Sequence, residues 1–479
     1  MKRRKALKQI GWGLSGGIFL PSILDSCASK DPGPEVVFSG KIAVIGAGAA
    51  GLYVADILHT KGLNVTVFEA REQLGGRVRS LRNQSNVAYP FAPQLSSDFP
   101  IELGAQTITG SDSILGKIYK DYLLTSIEIN SNTFVLDSTA KSDAEWIGDT
   151  DYASAKNFIN ALNTYTGNSQ TVQTEAQAVV GARGLGMVNG VVGNHYGSSN
   201  DTIGLGALAE GEKLNPTDRK VLLLRSNPVQ DILISRFSAI QTLVNLNTPI
   251  ISVNYGGDKI VLTSKDNTAY EFDKVIVTVP ISIIKSGAIS FNPGLPTTNT
   301  NAVAKFGFGA SIRVILEFKK NFWGQSTGFI YGSTKVPEYL SAGIASGFNQ
   351  TLSITVNGNK AAQFSALGDE GTVKAIIADL DSIYNGQASQ FVRKNVDTLK
   401  TIYIFDDWSK REYILGGYSY PLPGATNEDR KNLGKPVSGK LFFAGEATDI
   451  TGQAGMLNGA LASAERVAQE VVLSITNPI

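Results

Sequence analysis

The sequence predicts an α/β fold of two interleaved domains, α+β in overall make-up, on three observations. An apolar run, Lys41-Ile42-Ala43-Val44-Ile45, feeds a glycine turn and a helical pattern ending near Lys61-Gly62, and a second apolar run, Val65-Thr66-Val67-Phe68, follows. Strand, glycine turn and acid recur in Lys440–Thr448, ahead of helical spacing that opens at Gly455. Between these ends lie helical patterns over 116–234, and Ile312–Phe318 and Leu352–Val356 read as strands of an antiparallel sheet. Strand, tight turn, helix and strand make the first unit Rossmann-like. Its domain is expected to draw on residues 38–115, 235–300 and 405–479. A substrate domain of helices and antiparallel sheet would use 116–234 and 301–404, with a small-molecule pocket between the two.

The first turn reads Gly46-Ala47-Gly48-Ala49-Ala50-Gly51. Its first glycine permits the turn, its second lets backbone N–H groups approach a pyrophosphate, and its third lets the helix pack closely on the strand. Glu69 follows about twenty residues on, where a carboxylate can accept hydrogen bonds from a ribose diol. An ADP-containing ligand is implied, and both NAD and FAD carry ADP. The next residues, Ala70-Arg71-Glu72-Gln73-Leu74-Gly75-Gly76-Arg77, favour FAD. A Gly-Gly-Arg turn there puts a guanidinium near the same pyrophosphate, whose oxygens it can bond in pairs.

The formal net charge of +1 gives no sign of a nucleic-acid partner. No apolar run reaches the roughly 18–20 residues needed to span a bilayer as a helix. Residues 1–30 read as an export signal, lipobox and linker. Lys2-Arg3-Arg4-Lys5-Ala6-Leu7-Lys8 has the paired arginines of a twin-arginine signal, and a mildly apolar stretch, Ile10–Leu24, follows. That route exports folded proteins, which suits a chain that binds its cofactor before leaving the cytoplasm. Cys27, the sole cysteine, follows Leu24-Asp25-Ser26 and is favoured as a lipidated N-terminus. Cleavage after Ala28 competes with that reading, since Asp25 is unusual in a lipobox. The expected location is periplasmic, or membrane-tethered through Cys27. No histidine or carboxylate spacing suggests a metal site.

Further segments make the pattern more specific. Ile101-Glu102-Leu103-Gly104-Ala105-Gln106-Thr107 is a strand entering a small-residue turn, and Val275–Pro280 is a buried strand ending in proline. Gly445-Glu446 and then Gly455-Met456-Leu457-Asn458-Gly459-Ala460 close the set. With Gly75-Gly76-Arg77, these segments resemble the flavin-containing amine oxidase family of monoamine, polyamine and L-amino-acid oxidases. The resemblance is faint over about 115–235 and 325–400.

It implies that Gly46, Gly48, Ala49, Ala50 and Gly51 hold the pyrophosphate, Glu69 the adenosine ribose, and Arg77 the phosphates and flavin side, with Ala70 and Gly76 also at the cofactor. Ile250 would meet adenine, and Gly104, Ala105, Gln106 and Thr107 would border the isoalloxazine. Gly445 and Glu446 would lie at the ribityl–pyrophosphate region, and Gly455-Met456 would present backbone N–H groups to the flavin N1/O2 edge. Trp408 would pack near the flavin, and Tyr418 would stand on its substrate side. Gly417 occupies the place where some relatives link the flavin through cysteine, so FAD is expected to be non-covalent.

The implied chemistry is loss of hydride from a carbon beside nitrogen to flavin N5, hydrolysis of the imine, and reoxidation by O2 or another acceptor. Arg313, Tyr418 and Trp408 are the candidate catalytic residues. Arg313 stands where many relatives have lysine and cannot easily act as a base, since a guanidinium stays charged. It would stabilise anionic reduced flavin or pair with a substrate acid, unless it merely caps a surface strand. Met456 replaces one wall of an aromatic cage, Thr107 a carboxylate-binding arginine, and Asn458 a common glutamate. These changes keep open a dehydrogenase or desaturase of a non-amine substrate, or a flavin-bearing binding protein without turnover. His59 is expected at a helix end, and His195 reads as an ordinary loop residue more readily than as a pocket residue.

Overall fold

The computed structural model describes residues 36–81, 89–167 and 170–477. The export signal and lipobox expected over 1–30 lie outside the described residues. A five-stranded parallel sheet has the order Val244–Asn245, Asn64–Phe68, Lys41–Ile45, Lys274–Val277 and Leu441–Phe443. Its strands are apolar runs because both faces are covered, as parallel sheets require. Val44, Val67, Ile276 and Phe442 face the helices Ala49–Thr60 and Leu457–Thr476 through Leu52, Leu58, Leu461 and Val467. Ala43, Ile45, Val275, Val277 and Phe443 face the other way, onto Val253, Ile260 and Leu262 of a four-stranded sheet. The strand at Ile250 expected from the sequence is there, as Ile250–Asn254.

A seven-stranded sheet forms the other main layer. Its order is Tyr403–Asp407, Ser311–Glu317, Thr351–Asn357, Glu338–Ser341, Phe329–Tyr331, Thr133–Leu136 and Thr139–Ser142. Ser311–Glu317 and Thr351–Asn357 alternate with period two. Ile312, Val314 and Leu316, with Leu352, Ile354 and Val356, pack on Phe364, Ile376 and Leu380 of the helices Gly358–Ala366 and Gly368–Ile383. Arg313, Ser353 and Thr355 therefore face away from that apolar layer. A sheet with one greasy face and one buried polar face is built to put polar groups where solvent is excluded.

The stretch 116–234 is not helical throughout. It contains the strands Ser126–Ile129, Thr133–Leu136, Thr139–Ser142 and Val221–Leu224. Thr133–Leu136 and Thr139–Ser142 form a hairpin across Asp137 and Ser138, both at positive φ. Both central residues of a two-residue type I′ turn need φ > 0, and Asp-Ser lacks the glycine that usually announces one. No helix among the described residues is long and apolar enough to cross a membrane.

Candidate active site

One crevice opens at the carboxyl ends of the parallel strands, where open α/β sheets bind ligands. Gly46 has φ +108°, and a Cβ there would lie 2.8 Å from Thr278 Oγ1. Gly48 is the N-cap of Ala49–Thr60, with no side-chain capping bond and no acid in the first turn. That helix end is therefore open to an anion. Gly76 has φ +61°, and a Cβ on it would sit 3.1 Å from the Gly48 Cα. Side chains are thus excluded on both sides of the crevice floor. Glu69 accepts from the Ala47 N–H at 2.8 Å and the Arg71 N–H at 3.0 Å, and its carboxylate retains acceptor capacity. Ala49, Ala50, Ala70 and Ile250 border the same space. This donor and acceptor set, with its excluded side chains, fits an ADP-bearing cofactor. Gly51 does not border it: a Cβ there would lie 1.9 Å from Gly46 O, so its part is to seat the helix on the turn.

Further along the crevice, Arg77 donates to Glu446 Oε1 at 2.8 Å and to Gly417 O at 3.1 Å. Glu446 also accepts from the Ser419 N–H, the Ser419 hydroxyl and the Gly455 N–H. Burial works to raise its pKa, but the Arg77 charge, these hydrogen bonds and Arg430 outweigh it and hold the carboxyl below its usual range. Glu446 is thus a fixed anion tying three separated segments together. One expectation is corrected. The Gly455 N–H is spent on Glu446, and the Met456 N–H donates to Gln453 O at 3.1 Å. The donors at this end belong instead to the first turn of Leu457–Thr476, whose opening amides lack intrahelical acceptors. Leu457, Asn458, Gly445, Gly455 and Met456 all border the cavity.

Gly104, Ala105, Gln106, Thr107, Trp408, Gly417, Tyr418 and Arg313 border the same cavity. Trp408 is held by its Nε1–H to Leu103 O at 2.9 Å. Arg313 does not cap a surface strand. It is 7 % exposed and donates to Gly104 O at 2.9 Å and Ser353 Oγ at 3.0 Å, while its buried Nε–H has no partner. Burial pushes its pKa down, Glu338, Tyr418, Glu102 and Asp406 push it up, and a guanidinium remains charged at neutral pH.

Sheet register then reveals residues that sequence reasoning missed. Arg313 lies opposite Asp406 on one side and Thr355 on the other, and Tyr331 lies opposite Glu338. Tyr339 pairs with Ile354, which sets Glu338 alongside Thr355. Directly opposed residues share a face, so Arg313, Thr355, Glu338 and Tyr331 form one transverse row, and all four border the cavity. At one strand spacing per step, Arg313 and Glu338 are about 10 Å apart at the backbone. Burial pushes the Glu338 carboxyl up to about 7, with the Arg313 charge and a hydrogen bond from Asn194 acting against it.

Asn194 ends a π-helix, Asn189–Asn194, and His195 and Tyr196 follow it along the cavity wall. His195 is therefore a pocket residue, contrary to the expectation of an ordinary loop histidine. Burial lowers its pKa, with Glu212 acting in the opposite sense. Tyr418 donates to His195 O at 2.8 Å, and burial raises its pKa. Arg71 and Tyr413 also border the cavity and were not foreseen as contacts. His59 is in the last turn of Ala49–Thr60, at the expected helix end.

Comparison with known proteins agrees with this geometry. The family described as flavin containing amine oxidoreductase matches residues 208–472, and the NAD(P)-binding Rossmann-like domain matches 44–122. The chain is 26% identical over 488 residues to lysine-specific histone demethylase 1 homolog 3 of Arabidopsis thaliana, covering 86% of this chain and 29% of that protein. It is 24% identical over 481 residues to polyamine oxidase 4 of Oryza sativa subsp. japonica, covering 95% and 91%. The chain thus spans under a third of that demethylase, and 53% of lysine-specific histone demethylase 2 of Homo sapiens. Among solved structures, putrescine oxidase bound to putrescine has a TM-score of 0.75 at 18% identity, covering 90% of this chain and 99% of that one. Cyclohexylamine oxidase from Brevibacterium oxydans IH-35A has a TM-score of 0.74 at 17% identity, covering 91% and 100%. With a family match over more than half of its length, the chain belongs to the flavin-containing amine oxidoreductase family.

Proposed function

We propose that this protein oxidises a cationic amine at the carbon bearing nitrogen, with FAD held non-covalently and oxygen as the acceptor. The observation that carries the reading is Glu338. A carboxyl group in the wall of a largely apolar cavity, 5 % exposed and with its pKa pushed up to about 7 by burial, forms no salt bridge among the described residues. An ammonium group is the complementary partner. The amines named for putrescine oxidase, cyclohexylamine oxidase and polyamine oxidase 4 support the same substrate class.

In this reading Gly46, Gly48, Ala49, Ala50 and Gly76 cradle the pyrophosphate, Glu69 and Ala70 meet the ribose, and Ile250 meets adenine. Gly104, Ala105, Gln106, Thr107 and Trp408 border the ring, and Arg77 with Gly445-Glu446 holds the segment between. FAD, when bound, takes up the electron pair that leaves the substrate carbon. Arg313 supplies a permanent positive charge beside the Gly104 carbonyl and takes no proton. Tyr418 and Tyr331 supply aromatic walls that exclude water around the substrate carbon. Glu338 accepts the ammonium hydrogen bonds and fixes the direction in which the substrate enters. Non-covalent binding is supported by Gly417 and by the lack of any cysteine after Cys27.

The test is aerobic turnover with a panel of amines, scoring peroxide and carbonyl product together. Equimolar release of both with at least one amine is expected. Flavin-loaded protein that ignores every amine yet oxidises a non-nitrogenous compound would refute the proposal. Export through the twin-arginine route, with tethering at Cys27, is supported by Arg3-Arg4 and Leu24–Cys27 alone. Cys27→Ser should release the protein from membranes, and unchanged partitioning would count against the anchor.

A further inference from the structure

The π-helix Asn189–Asn194 is the only one among the described residues. Such turns are rare and concentrate at functional sites. This one is seated without slack. A Cβ on Gly190 would lie 2.4 Å from Pro337 O, immediately before Glu338. At its end, Asn194 is 1 % exposed and uses every polar atom it has. Its Nδ2 donates to Thr355 O at 3.0 Å and, at a longer 3.4 Å, to Glu338 Oε2. Its Oδ1 accepts the Asn357 N–H at 2.9 Å, and its backbone carbonyl accepts Asn357 Nδ2 at 2.8 Å. The second hydrogen on Asn357 Nδ2 reaches the Tyr418 hydroxyl at 3.2 Å. Asn194 thus touches the Glu338 carboxylate through its side chain and reaches the Tyr418 hydroxyl through its backbone carbonyl and Asn357.

We propose that Asn194 is the positioning residue of the substrate wall, holding the Glu338 carboxylate and the Tyr418 ring in one arrangement. The assignment rests on Glu338 as the amine's partner, but the contact itself can be tested without any amine. Groups facing Glu338 are Arg313 from Ser311–Glu317, Tyr331 from Phe329–Tyr331, Tyr418 and Asn194, and His195 lines the same cavity. Both tyrosines are held neutral by burial, and His195 is pushed towards its neutral form. Arg313 is therefore the fixed charge in this set and Asn194 the neutral donor. Replacing that donor with a carboxylate sets two acids against each other, and proton affinity at Glu338 must rise.

Thermal melting of the FAD-loaded protein reads this directly. Glu338 titrates from 4.5 in a free chain to about 7 here. Relative to E338Q, its contribution to stability is therefore complete below about pH 4.5 and is lost as pH rises through about 7. Melting would be followed from about pH 5 to about pH 9 for wild type, E338Q, N194D and N194D/E338Q. The difference between each parent and its E338Q derivative isolates Glu338. In wild type the loss should be complete soon above pH 7. In N194D it should continue about one pH unit higher, a tenfold gain in proton affinity. An unshifted end point in N194D would overturn the assignment. If N194D gives no cooperative melt, N194S, which shortens the donor, should shift the end point in the same direction, and an unmoved one would be equally fatal. Failure of the amine panel with a shifted melt would sink the substrate reading and leave the Asn194 contact standing.

Discussion

Glu338→Gln keeps the shape of the side chain and removes its charge. An ammonium in contact at about 4 Å gains about 4 kcal/mol from a carboxylate at an effective dielectric of about 20. Ionising Glu338 at pH 7, where it is about half protonated, costs roughly 0.4 kcal/mol. The glutamine returns about 1 kcal/mol as a neutral hydrogen bond. The net loss is about 2–3 kcal/mol, or roughly 30- to 150-fold in kcat/KM. The assay is steady-state peroxide release with the best amine of a panel, followed across pH. Below its pKa of about 7, Glu338 takes up a proton, so wild-type kcat/KM should fall by about tenfold per pH unit. E338Q should be low and flat over that interval. A loss under about threefold, or an acid limb that persists in E338Q, would refute the charge-pair argument.

Other perturbations address the cofactor side. Arg77→Met removes the salt-bridge partner of the buried Glu446 and leaves Arg430 and the Ser419 and Gly455 donors, a cost of up to about 3–5 kcal/mol, and flavin content after purification should drop sharply; full occupancy would contradict the clamp. Gly76→Val places a branched side chain on a residue with φ +61° whose Cβ would already lie 3.1 Å from Gly48 Cα, so the protein should purify colourless and stay so on FAD addition. Arg313→Met removes a buried cation whose charge lowers the pKa of Glu338; the Glu338 melting end point should move upward while flavin content holds, and a fixed end point would show that the two do not interact.

The dinucleotide crevice was legible because it is made of backbone. Glycine suits the positive φ and the close backbone approach at Gly46 and Gly76, and an acid at the end of the second strand meets the amides of Ala47 and Arg71. Such constraints leave marks at fixed spacing. The substrate wall leaves none. Arg313, Thr355, Glu338 and Tyr331 become neighbours through strand register, over sequence separations that no local pattern records. A faint signal did exist in Val336-Pro337-Glu338-Tyr339-Leu340, where an acid interrupts apolar residues in a short strand. Asn194 and His195 were hidden further by the π-helix, whose period matches neither helical nor strand templates. The Gly455-Met456 expectation failed because Glu446 and Gln453 O take up those amides, a competition visible only with the segments assembled.

The central claim, that this cavity strips electrons from a carbon beside a cationic nitrogen, is tested most directly by anaerobic titration of the FAD-loaded protein. Amines and their isosteric alcohols would be added in parallel while the visible flavin band is followed. Full bleaching by one equivalent of an amine, with none by its alcohol, is the predicted result. Bleaching by the alcohol, or by neither across the whole panel, would contradict it.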